Sequence, residues 1–171
     1  GQTICQQCPA GWQVHGATGE KACESCPAGS MSASAGDNCT ECPKGYFQND
    51  KGRASCLPCI PGEYQNQQGQ SACKECDDGT ASDDKNRTAP CDPCPRGLSS
   101  DAGTIVCRTC AKGKYNDQAA SGTCKDCEAG KYQPQDQLPS TKCSKCPEPS
   151  YQTERGKSFC VVPGGIQPKN C

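Results

Sequence analysis

Large apolar side chains are scarce in this chain. Its 171 residues include only 3 Leu, 4 Ile, 4 Val and 2 Phe, with a single Trp and a single Met. A soluble domain of this length normally encloses a sizeable core, and 13 such residues cannot build one. Nor does any apolar run approach the ~20 residues that a membrane-spanning helix needs. The formal net charge of −1 excludes the basic footprint of a nucleic-acid or anionic-membrane binder. One histidine, His15, stands in a polar stretch with no acid or cysteine suggested as partner, so it reads as an exposed loop residue. No serine–histidine–acid set, phosphate loop or pair of catalytic carboxylates can be assembled. The expectation is a protein that is not an enzyme and holds no cofactor.

What the chain has instead is 20 cysteines, beyond the ~8–10% that marks a disulfide scaffold. Without crosslinks so polar a composition reads as disordered. Covalent bonds must therefore replace hydrophobic burial, which requires an oxidising compartment: extracellular, cell-surface or lumenal. The chain opens on Gly1 rather than Met, as a processed chain or a piece of a larger one would. Two N-x-S/T triplets, at Asn38 and Asn86, are candidate N-glycosylation sites and fit a secretory route. Cysteine at the centre of the first triplet is expected to lower its use.

The cysteines are periodic. Successive units begin at Cys5, Cys23, Cys39, Cys56, Cys73, Cys91, Cys107, Cys124, Cys143 and Cys160, at intervals of 16 to 19 residues. Nine of them carry C-x-x-C; the tenth departs as Cys160-Val161-Val162-Pro163, followed by a last cysteine at Cys171. The stretch from Cys56 to Cys76 shows the full pattern. Proline near the second cysteine keeps the chain extended, and a glycine three residues after it permits a tight turn. Tyr64 gives the unit its one large apolar face, and Gly69 lets the chain return. An aromatic stands five residues after the second cysteine in several units, as Phe47, Tyr64, Tyr115, Tyr132 and Tyr151, each followed by Gln or Asn. The first unit reads as slipped by one position, with Trp12-Gln13 there. Other units are small and polar at this place, as at Gly29-Ser30-Met31-Ser32. The aromatics are expected to cover the disulfides and serve as the small core; their glutamines either hydrogen-bond along the array or stand exposed.

Helical periodicity is absent, and no strand pattern exceeds about four residues. The expected fold is a small disulfide-rich one, mostly irregular with short β-hairpins and little or no helix. Residues 1–171 read as one tandem array whose contacts are between neighbours, an elongated rod or gentle superhelix. Two metal readings compete. Paired C-x-x-C motifs resemble zinc ribbons, but here proline and glycine shape an extended exit rather than a metal knuckle. The acidic residues Asp77, Asp78, Asp83 and Asp84 could bind calcium weakly, although they lack the alternation of a calcium loop and fit a solvated turn. A thioredoxin-type redox site needs a βαβ setting that is missing.

The pattern C-x-x-C-P-x-G-x-Y-Q-x-x-x-G-x-x-x-C resembles the ephrin-receptor-like cysteine-rich repeat, a relative of the tumour necrosis factor receptor modules. The likeness runs from Cys5 to about Cys160. It departs at Asp77-Asp78, where proline is missing, and in units that lack the aromatic or the late glycine. Two disulfide schemes are open. The resemblance implies a ladder: Cys8–Cys23, Cys26–Cys39, Cys42–Cys56, Cys59–Cys73, Cys76–Cys91, Cys94–Cys107, Cys110–Cys124, Cys127–Cys143 and Cys146–Cys160. Cys5 and Cys171 are then left for bonds to another chain. A crossed scheme combines units in twos and consumes all the cysteines, ending at Cys146–Cys171. Spacing does not decide connectivity.

Two functional readings follow. One is an extracellular structural protein, a rod, stalk or filament subunit that associates with itself, head to tail or laterally. The other is the ligand-binding ectodomain of a receptor or decoy, with another extracellular protein as partner. No nucleic acid and no membrane span belong to either.

Overall fold

The computed structural model describes residues 7–16 and 22–164. It contains no helix among them; sixteen short strands form eight antiparallel pairs, each a separate two-stranded sheet. The first hairpin pairs β1 (Trp12–His15) with β2 (Ala22–Ser25). The other seven use strands of two residues, such as β5 (Tyr46–Phe47) with β6 (Leu57–Pro58) and β7 (Glu63–Tyr64) with β8 (Lys74–Glu75). A ninth hairpin is reduced to one bridge between Tyr151 and Val161. Strands this short are not independently stable, so something else must hold each hairpin shut.

Nine disulfides do so. They join Cys8–Cys23, Cys26–Cys39, Cys42–Cys56, Cys59–Cys73, Cys76–Cys91, Cys94–Cys107, Cys110–Cys124, Cys127–Cys143 and Cys146–Cys160. In each, the second cysteine of one C-x-x-C meets the first of the next. Cα–Cα distances of 5.5–5.8 Å match unforced disulfide geometry. Each bond closes a separation of 13 to 16 residues, a loop worth ~3 kcal/mol in the chain-entropy account. The crossed scheme would need Cys146 for Cys171, but Cys146 is taken by Cys160. Cys5 and Cys171 lie outside the described residues.

Every hairpin starts with the same turn. The residue after the second cysteine accepts a hydrogen bond from the amide three positions on, as in Tyr46 N–H to Pro43 and Lys114 N–H to Ala111. The third turn residue is a left-handed glycine, for example Gly45 at φ 82° and Gly113 at φ 78°. A type II turn demands such a residue there. The ninth hairpin keeps the closing bond, Ser150 N–H to Pro147, but carries Pro149 after a cis peptide where the others have glycine.

By contact density the described chain forms two compact units. One runs up to Glu75 and includes Asp83–Pro90; the other comprises Cys76–Ser82 and everything from Cys91 onward.

The register of the first hairpin overturns the expected slip. Trp12 pairs with Ser25 and Gln13 with Glu24, the same alignment that pairs Tyr46 with Pro58 and Phe47 with Leu57. Trp12 therefore stands at the position of Tyr46, one residue before the repeat aromatic. His15, expected in a loop, ends β1, with Nε2 4.0 Å from the Glu24 carboxylate.

Candidate functional site: the stacked repeat

The feature that recurs along each unit is the surface on which one hairpin meets the next. Its recurring contacts are made by the main chain. Within the first compact unit, the turn glycine N–H donates to a carbonyl of the following hairpin: Gly11 to Ser32, Gly29 to Gln48, Gly45 to Gln65. The glycine carbonyl in turn accepts from the next buried cysteine, as in Cys42 N–H to Gly29 and Cys59 N–H to Gly45. At the far tip of several hairpins a left-handed residue donates back to the preceding second cysteine: Gly52 to Cys26, Gly69 to Cys42, Asn86 to Cys59. The second unit repeats this with Gly103 to Cys76, Ala120 to Cys94 and Gly156 to Cys127. Backbone bonds of this kind ask little of side-chain identity. Tolerance of variation in the loops follows.

The stack also reaches past nearest neighbours. A Cβ added to Gly11, Gly29, Gly45, Gly79 or Gly113 would collide with the main chain of the tip two hairpins ahead, at Gly52, Gly69, Asn86, Ala120 and Gly156 respectively. These glycines thus serve twice, as turn formers and as seats. Gly130 shares the conformation, at φ 79°, but a Cβ there would meet nothing within 4 Å among the described residues.

The buried residues correct one expectation. The second cysteines are buried in both units: Cys26, Cys42 and Cys59 in the first, and Cys76, Cys94 and Cys127 in the second, are fully enclosed. Beside them lie polar residues, not aromatics. Gln48, Gln65, Asn116, Gln133 and Gln152 are buried, as are Ser32, Ser82 and Ser100 at the same place. Phe47, Tyr64, Tyr115 and Tyr132 are half-buried, and Trp12 and Tyr151 are exposed. The reason is loop chemistry. Neighbouring residues of a strand face opposite ways, and the inward place sits over a polar loop whose backbone groups lack partners. Glutamine satisfies two of them together. Gln65 Nε2 donates to the Ala72 carbonyl at 2.7 Å while its Oε1 accepts from Gln67 N–H. Gln48 spans Ser55 and Asp50 in the same way, and Gln152 spans Phe159 and Glu154.

Shorter side chains turn elsewhere. Asn116 Nδ2 donates to Leu98, and Ser100 Oγ to Thr80, each in the preceding hairpin. No buried side-chain nitrogen or oxygen among the described residues is left unpaired. The core is a hydrogen-bonded one, as polar groups in a small interior must be.

The remaining candidates are not brought together. Among the described residues no three His, Cys, Asp or Glu side chains converge as metal ligands. Eighteen cysteines are disulfide-bonded and so offer no thiolate. Asp78 accepts from Ala102 N–H at 2.7 Å, and Asp84 pairs with Arg87 at 2.8 Å. Asn38 and Asn86 are both exposed.

A line of ion pairs on the second unit was not legible beforehand: Lys125–Asp117, Lys114–Asp126 and Lys131–Glu128, at 2.6–2.7 Å. The Lys125 hydrogen bond holds the Asp117 carboxyl below its usual range and raises the lysine in return. Lys114 lowers Asp126, and Lys131 lowers Glu128, by the same contact. These groups stand in water, where such pairs add little stability. Tyr115, Asp117, Glu128, Lys131, Thr141 and Lys142 line an open depression of about 200 Å³ there.

Hairpins tied in succession by disulfides and stacked through their backbones define a tandem cysteine-rich repeat protein. Residues 29–63 and 51–86 match the family described as tyrosine-protein kinase ephrin type A/B receptor-like. The chain carries ephrin-receptor-like repeats over that stretch, and the disulfide ladder continues the same plan on both sides of it. No curated protein matches the chain. A repeat of this type with so many disulfides is compatible with an extracellular structural or receptor-like ectodomain. No described helix could cross a membrane.

Proposed function

We propose that the chain is an extracellular structural module, without catalytic activity, that works through its shape and through association with other copies of itself. The observation that carries this reading is the uniformity of the stack. Within each unit, successive hairpins contact each other through the same backbone hydrogen bonds, and no hairpin sets aside a distinctive side-chain cluster for a ligand among the described residues. Buried polar groups are satisfied internally, which leaves rigidity as the property the architecture maximises.

Association is assigned to the cysteines that the ladder leaves over. Nine disulfides use eighteen of the 20 cysteines, and under this reading Cys5 and Cys171 join neighbouring chains. Extension by simply stacking a further repeat on the ninth hairpin is disfavoured, because Pro149 has no N–H to donate where the turn glycines do. A covalent joint needs no such donor.

Electron microscopy of native material, with mass spectrometry of a non-reduced digest, tests the proposal. Regular oligomers containing a Cys5–Cys171 peptide are the expected result. Monomers with both cysteines bonded within one chain would overturn it. A second reading, the ligand-binding ectodomain of a receptor or decoy, draws on the receptor named in the family description. Monomers that capture one extracellular protein stoichiometrically would favour it.

A further inference from the structure

The tip of the fifth hairpin carries a polar side chain where most tips carry glycine. Gly36, Gly52, Gly69, Gly103 and Gly156 occupy the left-handed tip position in five other hairpins, at φ 69–88°, and Ala120 does so in the seventh, at φ 54°. The fifth hairpin places Asn86 there, at φ 55°. Asparagine is among the few residues that tolerate this region. Its main chain is fixed on both sides: the N–H donates to Cys59 at 3.0 Å, and the carbonyl packs over Gly45. Its side chain is exposed and makes no hydrogen bond among the described residues. Two positions on, Thr88 is exposed as well.

The residue between them turns the other way. Arg87 folds back over its own loop, with Nη1 on Asp84 at 2.8 Å and Nη2 on the Pro90 carbonyl at 2.8 Å, and its side chain is only 13% exposed. It therefore does not screen its neighbours. A rigid tip presents an amide and a hydroxyl together to solvent, in the order N-x-T.

We propose that Asn86 carries an N-linked glycan and that Asn38 does not. This rests on the extracellular reading above, since the modification belongs to the secretory route. The donor is a lipid-diphosphate-linked oligosaccharide. The Asn86 amide nitrogen forms a bond to the anomeric carbon, the bond from that carbon to the phosphate oxygen breaks, the lipid diphosphate leaves, and the amide gives up one proton. Nothing of the stack is disturbed, because the fold uses only the main chain of Asn86.

The other triplet is tied down at two of its three positions. Cys39 is bonded to Cys26 and donates its N–H to Gln13 Oε1 at 3.0 Å. Thr40 is paired with Met31 in a strand. Its central residue must be drawn into a disulfide for the second hairpin to close.

The test uses the protein collected from its own cells, digested without reduction and treated with a glycan-releasing amidase in heavy-oxygen water. The expected result is a sugar-bearing peptide holding Asn86, converted to aspartate with heavy oxygen, alongside a bare Asn38. Thr88→Ala should abolish the sugar without touching the left-handed residue. Asn86→Gly should do the same and keep the fold, since glycine is the commoner occupant of this tip; the Cys76–Cys91 peptide in the same digest reports on that. A bare Asn86 in a chain whose disulfides are intact would overturn this proposal alone, as would sugar on Asn38 in its place. Free thiols throughout would overturn the extracellular reading together with it.

Discussion

Gly156 closes over Gly113: the carbonyl group of the later residue occupies the place where a Cβ on the earlier one would stand. The later residue lies two hairpins ahead, in the ninth hairpin against the seventh. Gly130 has nearly the same φ, 79° against 78°, yet a Cβ there would meet nothing within 4 Å among the described residues. The pair separates two costs that glycine substitutions usually mix. Gly130→Ala should show only the left-handed penalty, about 1 kcal/mol. Gly113→Ala adds a collision with backbone, and relieving it breaks the Gly156 N–H bond to Cys127, for a total of at least about 3 kcal/mol. Hydrogen exchange at the Gly156 amide measures the difference. Equal protection in both variants would refute the seating role.

Gln65→Ala should be more damaging than Tyr64→Ala. The glutamine is 1% exposed and holds two loop groups, the Ala72 carbonyl and the Gln67 N–H. Removing it strands both in a closed interior, at about 1–3 kcal/mol each before water relaxes in. The half-buried tyrosine loses only part of the ~1.5–3 kcal/mol of a fully enclosed aromatic. Proteolysis within the Cys59–Cys73 loop should accelerate markedly in the first variant and slightly in the second. The opposite order would restore the aromatic to the core.

Cysteine spacing made the hairpins, their number and their turn glycines legible, because loop closure and positive φ leave a residue-type signature. Which of two adjacent residues faces inward left none. Hydrophobicity ranks Tyr64 above Gln65 for burial, and in a domain with a large apolar core that ranking holds. Here the interior is lined by loop backbone, so the inward place needs a donor and an acceptor on one side chain. The alignment of Trp12 is hidden for a related reason: an aromatic does not mark position here, and pairing with Ser25 sets it. The second role of Gly113 depends on a residue 43 positions later, beyond the reach of any local pattern.

Ala120→Gly should stabilise the seventh hairpin. Ala120 sits at φ 54° in the tip position that other hairpins give to glycine, and its N–H still donates to Cys94 at 2.9 Å. Alanine bears a Cβ penalty in this region that glycine does not. Relief of about 1 kcal/mol, offset in part by the greater freedom of glycine in the unfolded chain, should slow exchange of the Ala120-position amide. Faster exchange would mean that the methyl group contributes packing that outweighs its strain.

Reduction should unfold both compact units, while a chelator should leave them unchanged. Ordering each residue costs ~1–2 kcal/mol of backbone entropy, and 13 Leu, Ile, Val and Phe side chains in 171 residues cannot offset it. The buried second cysteines are themselves most of the apolar interior, so opening the bonds removes the crosslinks and loosens the core in one step. The buried amides would not rescue it, because their partners Ser55, Ala72 and Phe159 lie in loops that the bonds hold closed. Circular dichroism and hydrogen exchange, followed through stepwise addition of a thiol, should show protection lost at the Gly29, Gly45, Gly113 and Gly130 amides. Protection that survives in fully reduced, metal-free protein would mean the backbone stack is stable by itself. Loss of protection on chelation, with every disulfide intact by mass, would point instead to a metal in the fold.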